Sequence, residues 1–183
     1  MPDLPTPGAT TPKVPPGQVG KRQRPASPFP PPSGSWESEW VKIGDVRVRV
    51  CGVAVAQVPV ERRKQESMSK DRYFVVWLDI ENTSATAHTY RRWQPVLTGE
   101  CTLKYANGAV IPYAIYPPET GRLWFAEFNQ PIPPGGPPVL ESLAFARPDV
   151  NTPGDLTLTL DASRVGGTGR YTFTIPHAVW ARP

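Results

Sequence analysis

Proline recurs so often along this chain that no long helix fits in it. The 183 residues include 25 prolines and 15 glycines, and a proline inside a helix removes one hydrogen bond and clashes with the preceding turn. Helical bundles and coiled coils are excluded. The prolines are also unevenly placed, with eleven in residues 1–35 and fourteen in the rest. The first stretch has no apolar period, and Pro25-Ala26-Ser27-Pro28-Phe29-Pro30-Pro31-Pro32 favours polyproline II, which needs no internal hydrogen bonds. Residues 1–35 therefore read as a disordered, semi-rigid Pro-rich linker. Residues 36–183 read as one globular domain, large enough to bury a core without metal or disulfide.

Within that body the apolar residues recur every second position. Val46, Val48 and Val50 alternate with Arg47 and Arg49, which describes a half-exposed strand. A bulge at Cys51-Gly52 keeps Val53 and Val55 on the face of the earlier valines. Residues 61–71 are polar apart from Met68 and read as an exposed connection with room for one helical turn. Phe74, Val76, Leu78 and Ile80 share one side of the next strand, with Tyr73, Val75, Trp77 and Asp79 on the other. Both faces are bulky, as suits a central strand. Asn82-Thr83-Ser84 is formally a glycosylation sequon, but Asn among small polar residues is first a turn former.

Residues 96–105 and 110–116 form a hairpin about the Asn107-Gly108 turn signal. Residues 123–128 resume a strand, and residues 131–138, with five prolines and Gly135-Gly136 at the centre, read as irregular. Val139, Leu143 and Phe145 share a face of the following strand. Leu156-Thr157-Leu158-Thr159-Leu160 and Tyr171-Thr172-Phe173-Thr174-Ile175 alternate cleanly, as strands with one wet and one buried face do. The Gly166-Gly167-Thr168-Gly169 run between them is a hairpin tip, since a phosphate loop needs a following helix and a lysine. Seven to eight short strands and no helical period predict an all-β fold, an antiparallel two-layer β-sandwich, with an open barrel as the alternative.

The formal charge is +4, and most of it sits in the linker, where Lys13, Lys21, Arg22 and Arg24 face only Asp3. A nearly neutral body argues against nucleic acid as a partner, because phosphate neutralisation supplies most of that affinity. Lys21, Arg22 and Arg24 are candidates for contact with an anionic surface, or simply keep the linker solvated. No segment reaches the ~18 apolar residues that cross a bilayer, so membrane insertion within this chain is not expected. The first residues lack the apolar stretch that a secretory signal would show. Cys51 and Cys101 carry no spacing motif. They form one disulfide in an oxidising compartment or stay as two buried thiols. With only His88 and His177 available, neither at ligand spacing from a cysteine, no metal site and no cofactor is expected.

Gly44-Asp45 before the valine strand, a strand ending in Asn82-Thr83-Ser84, and the Asn107-Gly108 hairpin resemble the first half of a bacterial immunoglobulin-like family of unknown function. Its members are extracellular domains related to the secreted mycobacterial immunoprotective antigen. Pro134-Gly135, then Val139, Leu143, Ala144 and Phe145 before Pro148, then Leu156-Thr157-Leu158, resemble the second half. The resemblance implies an immunoglobulin-like sandwich that is extracytoplasmic or envelope-tethered, with a binding or scaffolding role and no catalytic residue. It departs from the family in lacking an export signal, so the compartment rests on whether a segment lies upstream of Met1; without one the chain is cytoplasmic.

Candidate chemistry is thin. His88 and His177 read as surface side chains without a nucleophile beside them. Asp79, Glu81, Glu100 and Glu127 are the acids nearest to a glycosidase pair, and they read equally as solvated edge residues. The combination of Tyr90, Arg91, Arg92, Trp93, Trp124 and Phe125 is the candidate interaction surface, because exposed rings beside guanidinium groups are adhesive. The expectation is a non-catalytic module for a protein or glycan partner on a Pro-rich stalk. The alternatives are a carbohydrate-binding or glycoside-active sandwich using those aromatics with Glu100 or Glu127, and an adaptor whose linker docks Pro-recognition domains.

Overall fold

A computed structural model describes residues 29–62, 65–93, 99–114, 122–123 and 129–181. The strands are β1 (Val41–Ile43), β2 (Val46–Ala56), β3 (Pro59–Arg62), β4 (Gln65–Met68), β5 (Tyr73–Asn82), β6 (His88–Arg91), β7 (Cys101–Lys104), β8 (Val110–Ile111), β9 (Arg122–Leu123), β10 (Asn129–Ile132), β11 (Val139–Phe145), β12 (Leu156–Asp161) and β13 (Arg170–Ile175). A 3₁₀ turn at Ala162–Val165 and a single-turn helix α1 (His177–Trp180) complete the described elements.

Two four-stranded antiparallel sheets form the sandwich, in the orders β1-β2-β5-β11 and β13-β12-β7-β8. These eight strands are the β-sandwich that the two-residue alternation predicts. Val46, Val48, Val50, Phe74, Val76, Leu78 and Ile80 from the first sheet meet Leu103, Leu156, Leu158, Leu160, Tyr171, Phe173 and Ile175 from the second in one buried cluster. Interdigitation of the two inner faces removes this apolar surface from water and supplies the main folding drive.

The bulge falls where expected. Val50 pairs with Leu78 and Gly52 with Trp77, so Cys51 is the extra residue. The extra residue holds Val53 on the inner side, opposite Val76. The Asn107-Gly108 turn also forms. Gly108 takes φ +86°, its N–H donates to the Tyr105 carbonyl at 2.9 Å, and the Ala109 N–H donates to Asn107 Oδ1 at 3.0 Å. Asn82 is buried in its own turn, donating to the Thr86 and Ile132 carbonyls at 2.6 and 3.0 Å and accepting from the Ser84 N–H at 2.9 Å.

Three expectations are corrected. Residues 61–71 are not a bare connection, because β3 and β4 form a hairpin there and β9 pairs with β3 in turn. Backbone pairing overrides the polar composition, since a strand at a rim needs only one apolar side, here Val58 and Val60. Residues 131–138 are not wholly irregular: Pro131 and Ile132 end β10, which pairs with β6. The third correction concerns the linker boundary. Residues 29–35 lie against the outer face of the first sheet, with the Phe29 ring 5.1 Å from that of Trp77.

Candidate functional site

The first sheet has an outer face of two characters. At one end Arg47 stands opposite Glu81 and Arg49 opposite Asp79, each as direct cross-strand partners. Arg49 Nε and Nη2 donate to Asp79 Oδ2 at 3.1 and 3.0 Å. Arg47 Nε and Nη2 donate to Glu81 Oε2 at 3.1 and 2.8 Å. Arg49 also bonds Glu37. The Trp40 ring lies 4.6 and 4.9 Å from the two guanidinium carbons, which adds cation–π attraction to the ladder. The signal for this ladder is plain in hindsight: two arginines and two acids occupy the outward positions of neighbouring strands. At the other end the same face is apolar, where Cys51, Val75, Trp77 and Ala144 form a second buried cluster with Phe29 packed on it.

The aromatic and basic residues expected to make a surface are mostly inside. Tyr90 and Trp93 are completely buried and Arg92 is 5% exposed, while Arg91 alone of the four faces solvent. Trp124, Phe125 and Glu127 lie outside the described residues, as do Lys21, Arg22 and Arg24. Tyr90 and Trp93 pack ring against ring at 5.1 Å, and the Trp93 indole N–H donates to the Asp161 carbonyl at 2.7 Å. Tyr90 and Arg92 turn to Glu141 rather than to solvent.

Glu141 was missed by the sequence reading. It pairs with Leu78 across β5 and therefore points into the sandwich, only 6% exposed. One carboxylate oxygen accepts from Arg92 Nη2 and from the Ser142 N–H, both at 2.8 Å; the other accepts from the Tyr90 hydroxyl. Tyr90 in turn accepts from the Trp93 N–H at 3.3 Å. A buried charge needs a partner and hydrogen bonds, and this network supplies both. Burial, followed by the neighbouring Glu141 carboxylate, pushes the Tyr90 phenol well above its usual value. The sequence signal was available, because Glu141 occupies an inward position in the Val139, Leu143, Phe145 alternation.

The remaining candidates are braced or tucked away. Glu100 pairs with Arg164. His88 is not a bare surface residue, since its Nε2 lies 3.3 Å from Asp45 Oδ2. His177 packs edge-on against Trp180 at 4.8 Å. Cys51 and Cys101 are both buried and are not joined to one another. Cys51 belongs to the outer cluster and Cys101 to the inter-sheet core, so a sheet separates the side chains. Burial, with the Glu141 charge second, pushes the Cys101 thiol far up, which keeps it unreactive. A cavity of about 500 Å³ opens beside Trp36, Phe74 and Trp180, with Arg72 and Arg147 among its lining residues. Among the described residues no carboxylate lines it, no cluster of three or more metal-ligating side chains occurs, and no helix is long and apolar enough to cross a membrane.

The described geometry defines an antiparallel β-sandwich with a charged ladder and an apolar patch on one outer face. No family model matches the chain, and no curated protein matches it. Among solved structures it is similar to the yjhA protein from Bacillus subtilis, at 17% identity and a TM-score of 0.46, over 75% of this chain and 96% of that one.

Proposed function

We propose that this chain is a non-catalytic interaction module of the bacterial immunoglobulin-like kind, acting outside the cytoplasm on a Pro-rich stalk. The observation that carries the reading is how the acids are used. Asp79, Glu81, Glu100 and Glu141 are each held by an arginine, through Arg49, Arg47, Arg164 and Arg92. Acids held this way brace strands; a glycosidase needs two carboxyl groups facing a shared cleft, one of them free to carry a proton. The apolar end of the outer face is the surface suited to a polypeptide, because a desolvated aromatic in a shallow apolar setting is what anchors protein contacts.

The test presents the full chain with a panel of oligosaccharides and chromogenic glycosides and follows release of reducing ends. No turnover is expected. Turnover that Glu100→Gln or Glu141→Gln abolishes while circular dichroism stays native overturns the reading. Expression from the native locus with a C-terminal epitope, followed by fractionation, is expected to place the protein outside the cytoplasm; recovery in the cytosol overturns that part.

A further inference from the structure

The segment seated on the apolar outer patch has a particular chemistry. In Phe29-Pro30-Pro31-Pro32 each proline fixes its own φ and forces the residue before it into an extended conformation. The segment is thus a short polyproline II strand whose carbonyls have no partner within it. One of those carbonyls is taken by the body: the Trp77 indole N–H donates to the Phe29 oxygen at 2.8 Å. The Phe29 ring packs against the same indole at 5.1 Å and an interplanar angle of 44°. Trp77 is 1% exposed beneath it.

Gly52 completes the seat. It stands directly opposite Trp77 on β2, and a methyl group placed on it would lie 2.5 Å from Pro31 Cβ and 3.2 Å from Ser35 Cβ. The missing side chain lets the proline ring rest on the sheet. The segment then ends cleanly, with the Ser35 N–H and hydroxyl donating back to the Pro32 carbonyl at 3.2 and 2.8 Å and Gly34 at φ +74°. An indole donor beside an apolar floor, reading a carbonyl next to proline, is how Pro-rich strands are recognised.

We propose that the Trp77–Gly52 surface is a binding site for Pro-rich polypeptide, filled here by the chain's own residues 29–32. The partner carries an aromatic residue followed by prolines and enters when the resident segment leaves. This rests on the binding-module reading and names its partner class. The argument for that occupant is the one seated there. Among the described residues its hold includes a ring contact, one indole hydrogen bond and the proline on Gly52, and an incoming strand competes with it as with a tethered ligand.

The experiment uses the full chain and a fluorescein-labelled peptide of residues 27–35, Ser-Pro-Phe-Pro-Pro-Pro-Ser-Gly-Ser, read by anisotropy. Phe29→Ala with Pro31→Ala weakens the resident segment and is expected to raise peptide affinity at least roughly tenfold over the native chain. Adding Gly52→Ala or Trp77→Phe to that variant is expected to cost about tenfold or more, with circular dichroism unchanged. A shuffled peptide with its prolines dispersed binds neither. Equal binding to all four chains, or none to a folded Phe29→Ala/Pro31→Ala variant, overturns the proposal. Where that variant fails to fold, the native chain decides: roughly millimolar peptide must accelerate amide exchange at Gly34 and Ser35, and unchanged exchange overturns the proposal. A native dimer that Phe29→Ala/Pro31→Ala dissolves makes the occupant a second copy and also overturns it. None of these failures touches the binding-module reading, which only turnover sinks.

Discussion

Replacing Glu141 by Gln tests the most consequential feature that the fold creates. The substitution keeps the shape but removes the charge opposite Arg92, whose side chain is 4% exposed and 2.8 Å from the carboxylate. A guanidinium left buried without its counter-ion costs about 3–5 kcal/mol, far more than a surface pair is worth. Gln also offers one carbonyl where the carboxylate accepted from Arg92, Ser142 and Tyr90. The expected loss is therefore about 4 kcal/mol, or a fall in Tm of roughly 10–20 °C for a body of this size. Urea unfolding followed by tryptophan fluorescence measures it, because Trp93 sits on the network. Arg92→Met together with Glu141→Leu removes both charges at once, and the two changes should not add; a coupling of roughly 2 kcal/mol or more is expected. A loss below ~1 kcal/mol for Glu141→Gln, or simple additivity in the cycle, would refute the claim that this pair is a buried, mutually dependent unit.

Two further outcomes follow from the same interior. Tyr171, whose hydroxyl donates to the Val46 carbonyl at 3.1 Å, has its phenol pushed up to about 12 by burial, and Tyr90 is raised as well. Because the folded values lie above the unfolded value of 10.0, the stability linked to these phenols is complete below pH 10 and is lost as pH rises through the folded pKa. Alkaline unfolding monitored at 295 nm should release these two phenols only as the far-ultraviolet signal collapses; their ionisation in a still-folded chain contradicts this. Free-thiol titration should find neither Cys51 nor Cys101 reactive in the native state and both reactive in guanidinium, with or without reductant. A chain that needs reductant to show its thiols would mean that the two cysteines are bonded.

What could be read from the residues alone follows from how local each signal is. Alternation over four or five residues places a side chain on one face of a strand whatever the strand pairs with, so β2, β5, β12 and β13 and the bulge at Cys51 were visible in the sequence. Turn residues act over two or three positions, which is why Asn82 and Gly108 sit as expected. The β3–β4 hairpin was hidden because its composition is polar, and its strands exist through backbone pairing that composition does not report. The burial of Tyr90, Arg92 and Trp93 was hidden for a related reason. Rings beside arginines are adhesive in water, but Tyr90 and Arg92 meet Glu141 from a strand about fifty residues away, and a partner at that range is set by the packing of whole sheets.

The amino-acid order by itself determined a β-sandwich body behind a Pro-rich segment, since proline geometry and two-residue alternation are properties of the chain before it folds. Only the tertiary structure decided which polar groups are buried together, which face of Trp77 is covered, and that residues 29–32 belong to the body. Those outcomes depend on Coulomb attraction, apolar burial and close approach between segments far apart in sequence, and such terms take a value only once the sheets have closed on one another.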